Sequence, residues 1–134
     1  MARRRDARRL AVSILYQADM ADRSPLEVIG ERRSLGIRVP GFTEDLVAGV
    51  EERREELDRL IGEHAEGWSV ARLAAVDRAL MRVACYELLF RDDVPTAVAI
   101  DEAVSAANEL STADSGRFVN GVLGRIARER TEAG

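Results

Sequence analysis

Lysine is absent from this chain: all 20 of its cationic side chains are arginine. Cysteine and histidine occur once each, as Cys85 and His64. A single thiol excludes an intrachain disulfide. With one histidine and one cysteine the chain lacks the ligand cluster of a zinc site, and it lacks the Cys-His or Ser-His pair of a nucleophilic enzyme. No glycine-rich phosphate loop of nucleotide-binding spacing is present. No stretch approaches the ~20 apolar residues of a membrane span, and no apolar run with a cleavage site follows the start. A cytoplasmic protein without cofactor, metal or catalysis is therefore expected. Proline is scarce (3), glycine moderate (10) and aromatics few (4 %) in 134 residues. With abundant Ala, Leu, Glu and Arg and few β-branched clusters, the pattern predicts an all-α fold in one domain over residues 1–134.

What the chain does contain is an uneven charge distribution. The first nine residues, MARRRDARR, hold five arginines against one aspartate, whereas the net charge of the whole chain is −4. A local excess of this kind reads as a basic helix or arm on an acidic body. The paired acids Glu51-Glu52 and Glu55-Glu56 alternate with Arg53, Arg54 and Arg59 and read as a solvated charged face, not as acid/base machinery.

Helical periodicity runs through most of the chain. In an arginine-rich first helix (1–20), Ala7, Leu10, Ala11, Ile14, Leu15 and Ala18 form an apolar stripe. At about 100° per residue, Arg5, Arg9, Val12 and Tyr16 form a second row on the side away from that stripe, with Arg8 on its flank. Ser24 is placed as N-cap of a short helix, with Pro25 at N1 and Glu27 completing a capping box. Residues 35–41 read as a loop, Thr43 as a further N-cap, and Gly49 as a point where the following helix breaks. Val76 to Phe90 is apolar on nearly every face, as the central helix of a bundle should be. Glu87 lies within that apolar surface and demands an arginine or a helix N-terminus as partner. The next stripe comprises Ile100, Ala103, Val104, Ala107 and Leu110, and the last Val119, Val122, Leu123 and Ile126. In the last helix Arg117, Asn120, Gly121 and Gly124 share the opposite side. Helical glycines cost roughly 1 kcal/mol each relative to alanine, so either tight packing or a close approach to the backbone is expected there.

Residues alone leave two readings of the basic end. In one, it is a solubilising tip on a helical protein-binding adaptor or homodimer. In the other, Arg5, Arg8 and Arg9 contact phosphates while Tyr16 offers a ring to an unstacked base, a combination suited to single-stranded RNA.

Four blocks then carry a resemblance to a known family: ARRLAVSILYQ from Ala7, WSVARLAAVDRALMRVACYEL from Trp68, DVPTAVAIDEAV from Asp93 and STADSGRFVNGVL from Ser111. In this order they resemble the NusB family of bacterial transcription antitermination factors, over about residues 7–126. The resemblance implies about seven helices arranged as two small bundles. It implies binding of boxA leader RNA together with the ribosomal protein NusE, loading onto an RNA polymerase antitermination complex, and no catalysis. By matching position, Arg5, Arg8, Arg9 and Tyr16 supply RNA contacts from the first helix. Asp114, Ser115, Arg117 and Phe118 complete the RNA surface from the last. Arg78, Arg82 and Glu87 build the core and part of the NusE-facing surface. Some members of the family self-associate, so a homodimer is a further expectation. Similar helical domains also form the RNA-binding part of ribosomal RNA methyltransferases, which is a second reading of the same resemblance.

Overall fold

The computed structural model of the protein describes residues 2–133. Among the described residues there are seven α-helices and one 3-10 turn, and no strand: α1 Ala2–Ala21, α2 Pro25–Ser34, α3 Gly41–Glu52, α4 Arg54–His64, the 3-10 turn Val70–Arg72, α5 Ala75–Phe90, α6 Thr96–Leu110 and α7 Ala113–Ala133. Helices α1, α2 and α3 pack on one another, α6 packs along α7, α4 also touches α7, and α5 touches both groups. The central helix is the one whose sequence is apolar all round: Ala79, Leu80, Met81, Val83, Ala84, Cys85 and Leu88 are all buried. Burial pushes the Cys85 thiol up to about 12, which leaves it a packing residue rather than a nucleophile.

Local chemistry explains the boundaries. Helix α1 stops at Asp22, whose φ of 54° is left-handed. There Arg23 N–H donates to the Ala18 carbonyl at 2.8 Å, closing the last turn. Helix α2 ends in a Schellman motif, in which Ile37 N–H donates to Arg32 (2.9 Å) and Gly36 N–H to Arg33 (3.0 Å). Gly36 takes φ +80°, a conformation that favours a residue without Cβ.

Three sequence expectations change. Ser24 does occupy the N-cap of α2 with Pro25 next, but its side chain makes no capping bond, and Glu27 instead lies 3.9 Å from Arg23. Thr43 caps nothing. It is buried in the first turn of α3 and its hydroxyl donates to the Ala7 carbonyl at 2.9 Å, stitching α3 to α1. The break expected at Gly49 falls at Arg53, between α3 and α4. Gly49 serves packing: a Cβ there would lie 2.1 Å from Tyr86 Cζ, so only glycine lets α3 cross the Tyr86 ring of α5. Gly49→Ala is expected to destabilise the protein by about 1–2 kcal/mol through overpacking, and urea melts of the variant will measure it.

Candidate nucleic-acid interface

Arg5, Arg9, Val12 and Tyr16 do share one row of α1, but the row leans onto α6 instead of pointing away from the core. Val12 is buried. Arg9 is half-buried, its guanidinium 2.7 Å from Glu109 and 3.4 Å from the Ser105 hydroxyl. Arg5, half exposed, forms a fork on Glu102 with Nη2 at 2.8 Å and Nε at 3.2 and 3.3 Å from the two oxygens. Arg5 pulls the Glu102 carboxyl below the usual range, against a smaller opposing effect of burial. Tyr16 stands clear at the end of the row, 38 % exposed.

Arg8 is a correction. Its side chain is 10 % exposed, and its Nε sits 3.0 Å from both oxygens of Glu87, itself 1 % exposed. Burial pushes the Glu87 carboxyl above the ordinary carboxylate range, while Arg8, Arg91 and Arg4 pull it back. The acid in the apolar stripe thus has the arginine partner its position required. That partner is lost as a surface contact for RNA, because Arg8 falls about 20° from Leu15 on the helix and enters the core stripe.

The residues expected to face a protein partner are likewise engaged within the chain. Arg82 is buried and grips Asp58 of α4 with bonds of 2.8 and 3.0 Å. Arg78 donates to Asp19 of α1 at 2.8 Å and to the carbonyls of Ala71 and Leu73 at 3.1 and 2.9 Å. Neither Arg82 nor Glu87 presents charge at the surface, since each is held inside by an opposite charge.

At the start of α7, Thr112 acts as N-cap, its hydroxyl accepting from Ser115 N–H at 3.0 Å. Asp114 and Arg117, both well exposed, pair with each other. The Ser115 hydroxyl donates to Asp77 Oδ2 at 3.0 Å, joining α7 to α5. Phe118 is half-buried against the core and lines a cleft with Leu73, Asp77 and Trp68. Trp68, 53 % exposed, marked only the start of a family block in the sequence, because a lone aromatic in a Gly-Trp-Ser loop has no helical stripe to assign it a face. Phe118 and Asn120 lie about 160° apart on α7, so they serve different faces. Asn120 borders a polar groove with Ser105 and Glu109, the residues that Arg9 reaches from the other side. The α6 surface therefore lies between the α1 row and the Asn120 side of α7. Gly121 and Gly124 have open space above them apart from the tips of Arg125 and Arg128 at 3.5 Å, which removes tight packing as their explanation.

His64 ties α4 to α7. Its Nδ1 lies 2.7 Å from the Leu60 carbonyl and its Nε2 2.6 Å from Glu129, two acceptors that favour the protonated ring. Burial alone would lower its pKa, but the bonds to Leu60 and Glu129 outweigh it and the net shift is upward. A raised folded pKa contributes stability that is complete below the unfolded value of about 6.5 and is lost as pH rises through the folded value. Wild type is therefore expected to lose its advantage over His64→Gln as pH rises from about 6.5 through the raised folded value. The difference stays under about 1 kcal/mol because Glu129 is solvent-exposed, and thermal melts across that range will reveal it.

Among the described residues no helix is long and apolar enough to cross a membrane, and no group of His, Cys, Asp or Glu is placed to hold a metal ion. The fold is an all-α domain whose basic first helix reaches acidic side chains of α6. The NusB family model matches residues 5–128, so the chain belongs to the NusB family. It is similar to the transcription antitermination protein NusB of Saccharopolyspora erythraea, with 52 % identity covering 95 % of this chain and 88 % of the relative. It is 47 % identical to that of Salinispora arenicola, covering 98 % of this chain and 99 % of the relative. A solved structure of T. maritima NusB matches with TM-score 0.83 and 38 % identity, covering 94 % of this chain and 91 % of that one. A crystal structure of the antitermination factors NusB and NusE in complex with dsRNA matches with TM-score 0.84 and 28 % identity, covering 96 % and 98 % respectively. Both curated relatives are transcription antitermination proteins.

Proposed function

We propose that this chain is a cytoplasmic transcription antitermination factor that binds boxA leader RNA together with ribosomal protein NusE. In that role it joins an RNA polymerase antitermination complex and promotes processive transcription of ribosomal RNA operons. The observation that carries this reading is the row of Arg5, Arg9 and Tyr16 along α1, which sets two guanidinium forks in line with an exposed ring. Guanidinium groups take phosphates and the ring takes an unstacked base. Arg117, exposed at the start of α7, extends the cationic surface, and Asp114 and Ser115 orient that turn. A single ring is a small platform, which is why a protein partner is included. The acidic remainder of the chain disfavours a long duplex, so a single strand is the expected ligand.

Co-purification with NusE followed by competition between boxA, a scrambled strand and a duplex tests the reading. Tighter binding to boxA than to the scrambled strand is expected, and equal binding would overturn it. Tyr16→Ala should lose about 1 kcal/mol of RNA affinity, roughly fivefold, the lower end for stacking on a single ring. Wild-type affinity in that variant would make Tyr16 a bystander.

A further inference from the structure

The two most exposed arginines of α1 with an acidic partner share that partner with an arginine set deeper. Arg4 contacts Asp93 at 2.8 Å, and Asp93 also receives Arg91 at 2.9 and 3.0 Å. Arg5 contacts Glu102 at 2.8 Å, and Glu102 also lies 3.6 Å from Arg8 Nη1. Exposure separates the two tiers. The Arg4 and Arg5 side chains are 44 % and 51 % exposed, against 20 % for Arg91 and 10 % for Arg8. If either outer arginine leaves, its acid keeps a cation, so no carboxylate is orphaned. Helices α1 and α6 meet here through long side chains, across a groove lined by Arg4, Arg5, Val94, Pro95, Val98 and Glu102.

We propose that Asp93 and Glu102 are internal placeholders for RNA phosphates, and that the groove between α1 and the start of α6 is the site where phosphodiesters displace them from Arg4 and Arg5. This rests on the RNA reading above and adds to it how the basic helix is kept selective. A carboxylate and a phosphate fit the same planar guanidinium fork, so exchanging one for the other at a single arginine gains little. A ligand gains only when it makes the exchange at both arginines and is held elsewhere as well. Short or unrelated polyanions, with one or two contacts, find the arginines already occupied. The correct strand, anchored by NusE and by further contacts along the row, supplies the rest of the binding energy.

The test uses the full chain with NusE, a boxA single strand and a scrambled strand of equal length. Glu102→Gln and Asp93→Asn remove one placeholder each, and Glu52→Gln, on the exposed face of α3, removes the same charge far from the groove. Both placeholder variants are expected to bind the scrambled strand about three- to tenfold tighter at low salt, with a smaller gain for boxA and a salt slope steeper by up to about 0.7. Glu52→Gln should bind as wild type does. Placeholder variants that bind no tighter than wild type, or a Glu52→Gln variant that gains as much as they do, would overturn the proposal while leaving the RNA reading intact. Wild type that binds neither strand with NusE would remove the RNA reading, and the proposal with it.

Discussion

Arg8→Ala is expected to destabilise the protein by about 3–5 kcal/mol, because it leaves the Glu87 carboxylate buried without its partner. Native domains hold about 5–15 kcal/mol in total, so the loss is a large share and should lower the midpoint by on the order of 10–20 °C. Deleting both charges should be much milder. Arg8→Met with Glu87→Leu removes the desolvation cost along with the attraction and should recover most of the stability. The single variant should also be pH-dependent. Burial already places the folded pKa of Glu87 above its unfolded value, and loss of Arg8 raises it further. Protonation then favours the folded state, so the deficit shrinks as pH falls towards the ordinary carboxyl value of about 4.3. Calorimetry of the three proteins at pH 4.5 and pH 7, taken as roughly those carboxyl limits, will decide it. An Arg8→Ala variant as stable as wild type would return Arg8 to the surface and to the candidate RNA contacts.

Arg9→Glu is expected to weaken RNA binding about thirtyfold at moderate salt, which is about 2 kcal/mol. The substitution changes the local charge by two units and sets a second acid beside Glu109, now 2.7 Å from the arginine it replaces. The salt slope should fall by about 0.7 for one lost phosphate contact on a single strand. Stability should change by less than about 1 kcal/mol, since Glu109 is largely exposed. Binding titrations at three salt concentrations separate the outcomes. A thirtyfold loss with an altered slope places Arg9 at a phosphate, and an unchanged slope removes it from the interface. Arg9→Gln, which deletes charge without reversing it, should show about half the effect in logarithmic terms.

Much of the fold was legible in the chain because helical burial is periodic. Ala11, Ile14, Leu15 and Ala18 are buried as their spacing predicts, as are Val119, Val122, Leu123 and Ile126. The all-round apolar character of residues 76–90 marked the central helix. Glu87 was legible as an acid that needs a cation, but its partner lies 79 residues away, and no local pattern pairs two charges over such a distance. Arg8 sits by its helical angle on the edge of both stripes, flanking the Arg5 row and about 20° from Leu15. The angle left its environment open, and only the approach of Glu87 in the folded chain buried it. Leu110, expected in the α6 stripe, is 46 % exposed because it ends that helix.

The sequence by itself determined an all-helical chain with a basic first helix on an acidic body, the lack of residues for nucleophilic or zinc chemistry, and family membership through four ordered blocks. These follow from composition and from short-range periodicity, both written along the chain. Only the tertiary structure decided which arginines are available. It buried Arg8 on Glu87 and Arg82 on Asp58, leaned Arg9 on Glu109, and left Arg4 and Arg5 on acids that each keep a second, deeper arginine. A guanidinium is charged wherever it sits, and whether that charge is spent inside the protein or offered to a ligand depends on which acids the packing of α1 against α5 and α6 brings within reach.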